Sequence, residues 1–205
     1  MNTNQDNQQQ DQNRAPLVQV RQYRPRLAFY HANDKGTGCA MTLELHPAHD
    51  STEGCIMATM ANQKTVGNKR SPNPTYSTFN WDESICVKLD FSDLSQMLQV
   101  FRGENESLGS GGKGLFHMAA RHSTSIRLRH TVTPYSGYSL EMYRTKKDGA
   151  SASAHILLTA SEAYGLAAAI EGSLGVICFG MPMVIPHDTS AYRREAREAR
   201  NASAA

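Results

Sequence analysis

Between Arg26 and Phe101 the chain alternates apolar with polar or small residues in four short runs and then changes period. Arg26–His31 (RLAFYH), Cys39–His46 (CAMTLELH), Cys55–Met60 (CIMATM) and Ser84–Phe91 (SICVKLDF) carry the two-residue rhythm of half-buried strands. Asn33-Asp34-Lys35-Gly36 and Asp50-Ser51-Thr52-Glu53-Gly54 supply the Asn, Asp and Gly residues that tight reversals favour. From Ser92-Asp93 onward, Leu94, Met97, Leu98 and Phe101 fall at helical spacing until Gly103 ends the run. The second half repeats this order. Leu115–Arg121, Ser125–Thr131, Tyr138–Arg144 and Ala152–Thr159 read as strands, separated by His122-Ser123-Thr124, Pro134-Tyr135-Ser136-Gly137 and Lys146-Lys147-Asp148-Gly149, the last a strong hairpin signal. Ser161-Glu162-Ala163 then opens a helix carrying Tyr164, Leu166, Ala167, Ile170 and Leu174, apolar enough to be well buried. The pattern predicts an α+β fold of two packed four-stranded antiparallel sheets with two helices, the halves sharing element order but no obvious residue identity.

A chain of 205 residues with 40% hydrophobic content can bury one core, so one domain is expected over 25–185. The stretch 1–24 is Gln/Asn-rich with neither a basic nor an apolar segment at its start, and reads as a disordered tail instead of a signal peptide. Asp6 and Asp11 argue against a mitochondrial presequence. Residues 186–205 form a charged tail whose AYRREAREAR run offers i, i+4 Arg–Glu pairs. No apolar run was found to approach the ~20 residues that cross a bilayer, so no membrane partner is expected. Cys39, Cys55, Cys86 and Cys178 are widely spaced and three fall in expected strands, which suits small buried hydrophobes in a reducing, cytoplasmic setting better than a disulfide or zinc framework.

The net charge of +2 conceals an uneven distribution. From Lys113 to Lys147, seven cations (Lys113, Arg121, Arg127, Arg129, Arg144, Lys146, Lys147) face Glu141 alone, a local balance of +6. Arg127 and Arg129 share a strand face opposite Ile126 and Leu128 and point away from the core. Such cations interleaved with Phe116, Tyr135, Tyr138 and Tyr143 suit phosphates and stacked bases of a single strand, although a merely solvated basic face has the same composition.

Catalytic patterns are weaker. Residues 109–114 (GSGGKG) fit Gly-x-Gly-x-x-Gly, but a dinucleotide site needs a strand before the loop and a helix after it, the reverse of the order here. The segment reads as a flexible connector with Lys113 available to a phosphate. The eight histidines form no tight metal pattern, and Pro47 separates His46 from His49. No cofactor, metal or catalytic residue is expected.

The run Phe79-Asn80-Trp81 through Leu89, followed by Asp90-Phe91-Ser92-Asp93-Leu94-Ser95-Gln96-Met97-Leu98, resembles the aromatic-x-Trp strand and following helix of the Whirly family of single-stranded DNA-binding proteins. Leu115-Phe116-His117 is similar to that family's Phe-Phe-His at the start of its second half, and with the element order the resemblance spans about Arg26 to Gly180. The Lys-Gly-Lys-Ala-type motif of plant members is absent, the second strand reading CAMTLELH, so the higher assembly tied to that motif is not implied. Through the related mitochondrial RNA-binding proteins of kinetoplastids, the resemblance implies two packed sheets, a helical core joining subunits into a homotetramer, and single-stranded DNA or RNA laid along the sheets.

The expectation is a non-enzymatic, single-stranded nucleic-acid binder of low sequence specificity. Its phosphates would lie near Lys88, Lys113, Arg127, Arg129 and Arg144 and its bases on Tyr30 and Tyr143, while Trp81 reads slightly better as a core anchor. Gly165, Gly172 and Gly175 with Ala163, Ala167, Ala168 and Ala169 give the second helix a small-sided surface suited to close packing, between subunits or within one. An assembly protein that oligomerises without binding nucleic acid is the alternative, and an enzyme with a nucleotide site at the glycine-rich segment a third reading.

Overall fold

The structure, a computed structural model, describes residues 26–48, 52–133 and 136–180. The tails expected over 1–24 and 186–205, and Tyr135, lie outside the described residues. The element order is β1 (Arg26–His31), β2 (Cys39–His46), β3 (Cys55–Thr65), β4 (Thr78–Phe79), β5 (Ile85–Leu89), α1 (Phe91–Phe101), β6 (Leu115–Met118), β7 (His122–Thr131), β8 (Gly137–Lys146), β9 (Ser151–Thr159) and α2 (Ala160–Phe179).

The first sheet is antiparallel in the order β1-β2-β3, and the far edge of the long β3 pairs with β5 over Ile56–Met60 and with the two-residue β4 at Gln63 and Thr65. It is four strands wide, with β4 prolonging the β5 edge. The second sheet runs β6-β7-β8-β9, antiparallel throughout. The expected α+β architecture is therefore present. Met41, Leu43, Ile56, Met60, Ile85 and Leu89 of the first sheet and Ile126, Leu128, Leu140, Met142 and Ile156 of the second join Leu94, Met97, Leu166 and Ile170 of the helices in one core.

Each helix begins directly at a strand end, and both starts use reciprocal capping. The Asp90 side chain accepts from Asp93 N–H at 3.0 Å while Asp93 accepts from Asp90 N–H at 3.1 Å. Thr159 and Glu162 repeat this at α2, at 3.2 and 2.8 Å. The α1 start thus lies earlier than the Ser92-Asp93 signal suggested, because Asp90 takes the cap. Burial pushes Glu162 up, but hydrogen bonds from Thr159 and His31 outweigh it and hold the carboxyl below its ordinary value. His31 Nε2 lies 2.7 Å from Glu162, so the end of β1 is fastened to the start of α2.

Three features differ from the expectation. The turn between β6 and β7 is Ala119–Arg121, with Ala119 N–H donating to His122 O at 2.9 Å, so His122, Ser123 and Thr124 belong to β7. The glycine-rich stretch is an ordered turn: Gly109, Gly111, Gly112 and Gly114 all have positive φ. Leu108 N–H reaches Leu128 O at 2.8 Å and Gly114 N–H reaches Leu108 O at 2.9 Å, which seats this connector against β7. Finally, α2 has 20 residues and is apolar enough by length and composition to cross a membrane, contrary to the expectation that no run reached that length. Its Ala163, Leu166, Ile170 and Ile177 are nonetheless buried in the domain. Its end is tied to the β2–β3 connection by Ala48 N–H to Val176 O at 3.2 Å and Gly54 N–H to Ile177 O at 3.1 Å.

The β1–β2 turn hangs on one buried amide. Gln63 Oε1 accepts from Asn33 N–H at 2.9 Å and Gly38 N–H at 3.0 Å, while its Nε2 donates to Asn33 O at 3.0 Å and Thr65 O at 3.1 Å. Gln63→Leu leaves all four groups without this partner and is expected to lower stability by about 2 kcal/mol in urea unfolding. An unchanged midpoint would remove Gln63 from this role.

Candidate nucleic-acid interface

Alternation in the second sheet sends Thr124, Ile126 and Leu128 inward and Ser125, Arg127 and Arg129 outward. Register then extends the outward rows across the sheet. Phe116, Ser125, Tyr143 and Ser153 make one row, and Arg127, Glu141 and His155 the next. Arg129 and Ser139 follow, with Ser107 of the glycine-rich connector bridged to Arg129. Phe116 is 64% and Tyr143 43% exposed, so both rings stand clear of the small serines between them. Tyr143 interacts with the Ser151 and Thr145 hydroxyls, which hold its phenol below the ordinary value.

Arg127 meets Glu141 at 3.7 Å with both side chains largely exposed, a pair worth at most about 1 kcal/mol and readily exchanged for a phosphate. Arg129 and Lys113 are exposed. Gly114, next to Lys113, lies beside Arg127: a Cβ there would come 3.0 Å from Arg127 Cγ. The structure thus brings Lys113, Arg127, Arg129 and Tyr143 to one face and adds Phe116, which charge counting noted only as one ring among several.

Tyr30 and Lys88 lie elsewhere, on the outward face of the first sheet. Lys88 is exposed on β5 between the buried Val87 and Leu89. Tyr30 shares a cross-strand row with Ala40 and Ala61, and these alanines are buried yet outside the central core cluster, as expected for the outer side. The Tyr30 and Phe79 ring centres are 5.7 Å apart and those of Phe79 and Trp81 6.5 Å apart, an aromatic row along the β4 edge. Trp81 is 38% exposed on a short 3₁₀ turn with Asp82 and Glu83, so it is not the core anchor that its size suggested.

Arg144 is placed differently again. It shares the inward side of β8 with Leu140 and Met142, and its guanidinium leaves the second sheet to reach the first: it donates to Cys86 O and, at 3.5 Å, to Ser84 O, with Nε 3.5 Å from Thr124 Oγ1. This cation joins the sheets, and the proposed interface leaves it out. The period that placed Tyr143 opposite Leu140 and Met142 already put Arg144 beside them. Asn62 Nδ2 donates to Ser153 O at 2.8 Å and completes that seam.

His117, the histidine of the Leu-Phe-His run, lies 3.2 Å from the buried Asp93 and connects β6 to the first turn of α1. Burial raises the Asp93 carboxyl, an effect that the Asp90 backbone hydrogen bond and His117 partly offset. Ser139 Oγ and His155 Nε2 are 2.9 Å apart, and among the described residues no hydrogen bond orients the other ring nitrogen, so the pair serves to link β8 to β9. Burial pushes the Cys39 thiol up to about 11, which keeps it protonated and unreactive.

No protein-family model and no curated protein matches this sequence. Solved structures of Whirly proteins do share its shape. WHY1 from Arabidopsis thaliana superposes with a TM-score of 0.59 at 14% identity, over 86% of this chain and 93% of that one. The plant transcriptional regulator PBF-2 gives 0.58 at 16% identity, over 76% and 82%. WHY3 from Arabidopsis thaliana gives 0.52 at 18% identity, over 86% and 98%. At these identities the likeness establishes a Whirly-like fold.

Placement separates two kinds of arginine. Arg144→Met is expected to cost about 1–3 kcal/mol in denaturant unfolding, since it strips donors from partly buried carbonyls. Arg129→Met, on the exposed face, should change stability by less than about 0.5 kcal/mol. Equal effects of the two substitutions would contradict the seam role of Arg144.

Proposed function

We propose that this chain binds single-stranded nucleic acid, DNA or RNA, with low sequence specificity and as a homotetramer. The observation that carries the reading is the outward face of the second sheet, where Arg127 and Arg129 flank a row containing the exposed Phe116 and Tyr143. Cations at this spacing attract phosphates, and rings separated by serines accept bases of any identity, each stacked base being worth roughly 1–3 kcal/mol. Lys113 adds a cation at the edge. Tyr30 and Lys88, on the other sheet, would serve a longer strand that continues around the molecule or onto a neighbouring subunit. The Whirly-like fold supports the reading, as do rings and cations gathered on one outward face. Neither requires a catalytic role.

The oligomer is supported by α2. Tyr164 and Phe179 are 80% and 90% exposed, and a Cβ at Gly165, Gly172 or Gly175 would meet nothing within 4 Å in a single chain. Glycine in an exposed helix costs about 1 kcal/mol relative to alanine, so three glycines without an intrachain reason suit a second helix packed closely against them.

Fluorescence anisotropy of a labelled mixed-sequence 32-mer tests the binding. Single strands should bind tightly at about 50 mM salt and weaken as salt rises. Arg127→Glu/Arg129→Glu is expected to lower affinity by at least about tenfold and to reduce the log–log salt slope by about 2, one unit per lost phosphate contact. Absence of binding at low salt would leave the assembly-only reading.

The helix surface has its own measurement. If α2 packs between subunits, Gly172→Leu should shift the protein toward monomer in light scattering and lower its melting temperature. If that surface faces water, the same change should raise stability by about 0.8 kcal/mol through helix propensity and leave the mass unchanged.

A further inference from the structure

The hairpin turns β6–β7 and β8–β9 lie side by side, because β7 and β8 stay paired as far as His122 and Lys146. Lys147 N–H donates to Arg121 O at 3.0 Å and fixes one turn against the other. Between them opens a cleft of about 470 Å³ lined by Arg121, His122, Arg144, Lys146, Lys147 and Asp148. Its charges are four cations against one carboxylate. Asp148 Oδ1 accepts from Ala150 N–H at 2.9 Å, which shapes the turn. Among the described residues, no ion pair neutralises Arg121, Lys146 or Lys147.

This cleft is not part of the outward basic face. Register puts His122 opposite Lys146 and Thr124 opposite Arg144, all on the inward side of the sheet, whereas Arg127, Arg129 and Tyr143 point the other way. A strand stacked on Phe116 and Tyr143 therefore reaches the cleft by turning around the end of β7 and β8, which an end does more easily than a continuing backbone. The charge density also suits one group over another. A phosphodiester carries a single negative charge, while a phosphomonoester carries about −1.5 to −2 at neutral pH with three acceptor oxygens. Arginine and lysine donors converging on one cleft match the latter.

We propose that this cleft binds a phosphomonoester, the terminal phosphate of a nucleic-acid strand. The proposal rests on the single-strand reading for the identity of its ligand, and the test separates the two. Unlabelled 12-mers bearing a 5′-phosphate, a 3′-phosphate or hydroxyls at both ends are made to compete with a labelled strand on the full chain. Inorganic phosphate and a nucleoside monophosphate are titrated separately by calorimetry.

At least one phosphorylated end is expected to compete about five- to tenfold better than the hydroxyl-ended strand. Arg121→Gln/Lys147→Gln should abolish that preference while hydroxyl-ended strands bind within about twofold of wild type. Equal competition by all three strands overturns the proposal and leaves the single-strand reading standing. If no strand binds, that reading fails, and the titrations decide the cleft: phosphate or monophosphate uptake lost in the double variant supports a free phosphate ligand there, and no uptake sinks the site as well. The wild-type comparison alone needs no substitution, and both altered side chains are exposed, so loss of folding does not obscure the result.

Discussion

One face of each sheet has to be buried for this chain to fold, and nearly everything on the surface is placed by that requirement. Met41, Met60 and Ile85 from one sheet meet the core that Ile126, Leu140, Met142 and Ile156 form from the other, and each such side chain contributes about 1.5–3 kcal/mol when fully buried. Since side chains alternate with a period of two, burying Ile126 and Leu128 forces Arg127 and Arg129 outward. A slip of one residue in β7 would drive both guanidinium groups into the core, so the register of this strand is held by its hydrophobic residues and its charges together. The basic face is thus as well defined as the core behind it.

The same periodicity explains how much could be read from the chain. The limits of β1 and β2 follow directly from alternation, because nothing interrupts it before the turns. The β6–β7 turn was misplaced since Leu115–Arg121 and Ser123-Thr124 all tolerate strand geometry, and only the Ala119–His122 hydrogen bond distinguishes the turn. The strand β4, two residues long, has no period to detect. Both capping boxes were visible as Asp90-x-x-Asp93 and Thr159-x-x-Glu162, although a cap is easily overlooked when a strand runs straight into a helix without a loop.

Candidate side chains were legible when one strand decided their direction and illegible when a partner did. Tyr143 and Arg127 needed only alternation. The position of Arg144 along β8 gives its inward side, but that it serves carbonyls of β5 depends on how the two sheets pack, and no local pattern records that. Trp81 was weighed by size alone, whereas its immediate neighbours Asp82 and Glu83, polar and exposed, mark a turn at the surface. In α2 a nearly uniform apolar composition concealed which side is covered. Only the packing separates the buried Ala163, Leu166, Ile170 and Ile177 from the open side with its glycines.

The two halves repeat one construction, four strands running into a capped helix, yet their outward faces differ chemically. The outer face of the first sheet places Tyr30, Phe79 and Trp81 along one edge beside Asp82 and Glu83, a flank that repels phosphate. The second places its rings beside Arg127 and Arg129, with Glu141 loosely held and displaceable. Aromatic area is therefore available on both sheets, and charge alone distinguishes them. On the proposed reading, a strand enters at the second sheet, where the field draws it in. The first sheet could contribute stacking only after the phosphates had been neutralised elsewhere, which makes the arginines of β7 the determinants of affinity and the rings of the first sheet an extension of it.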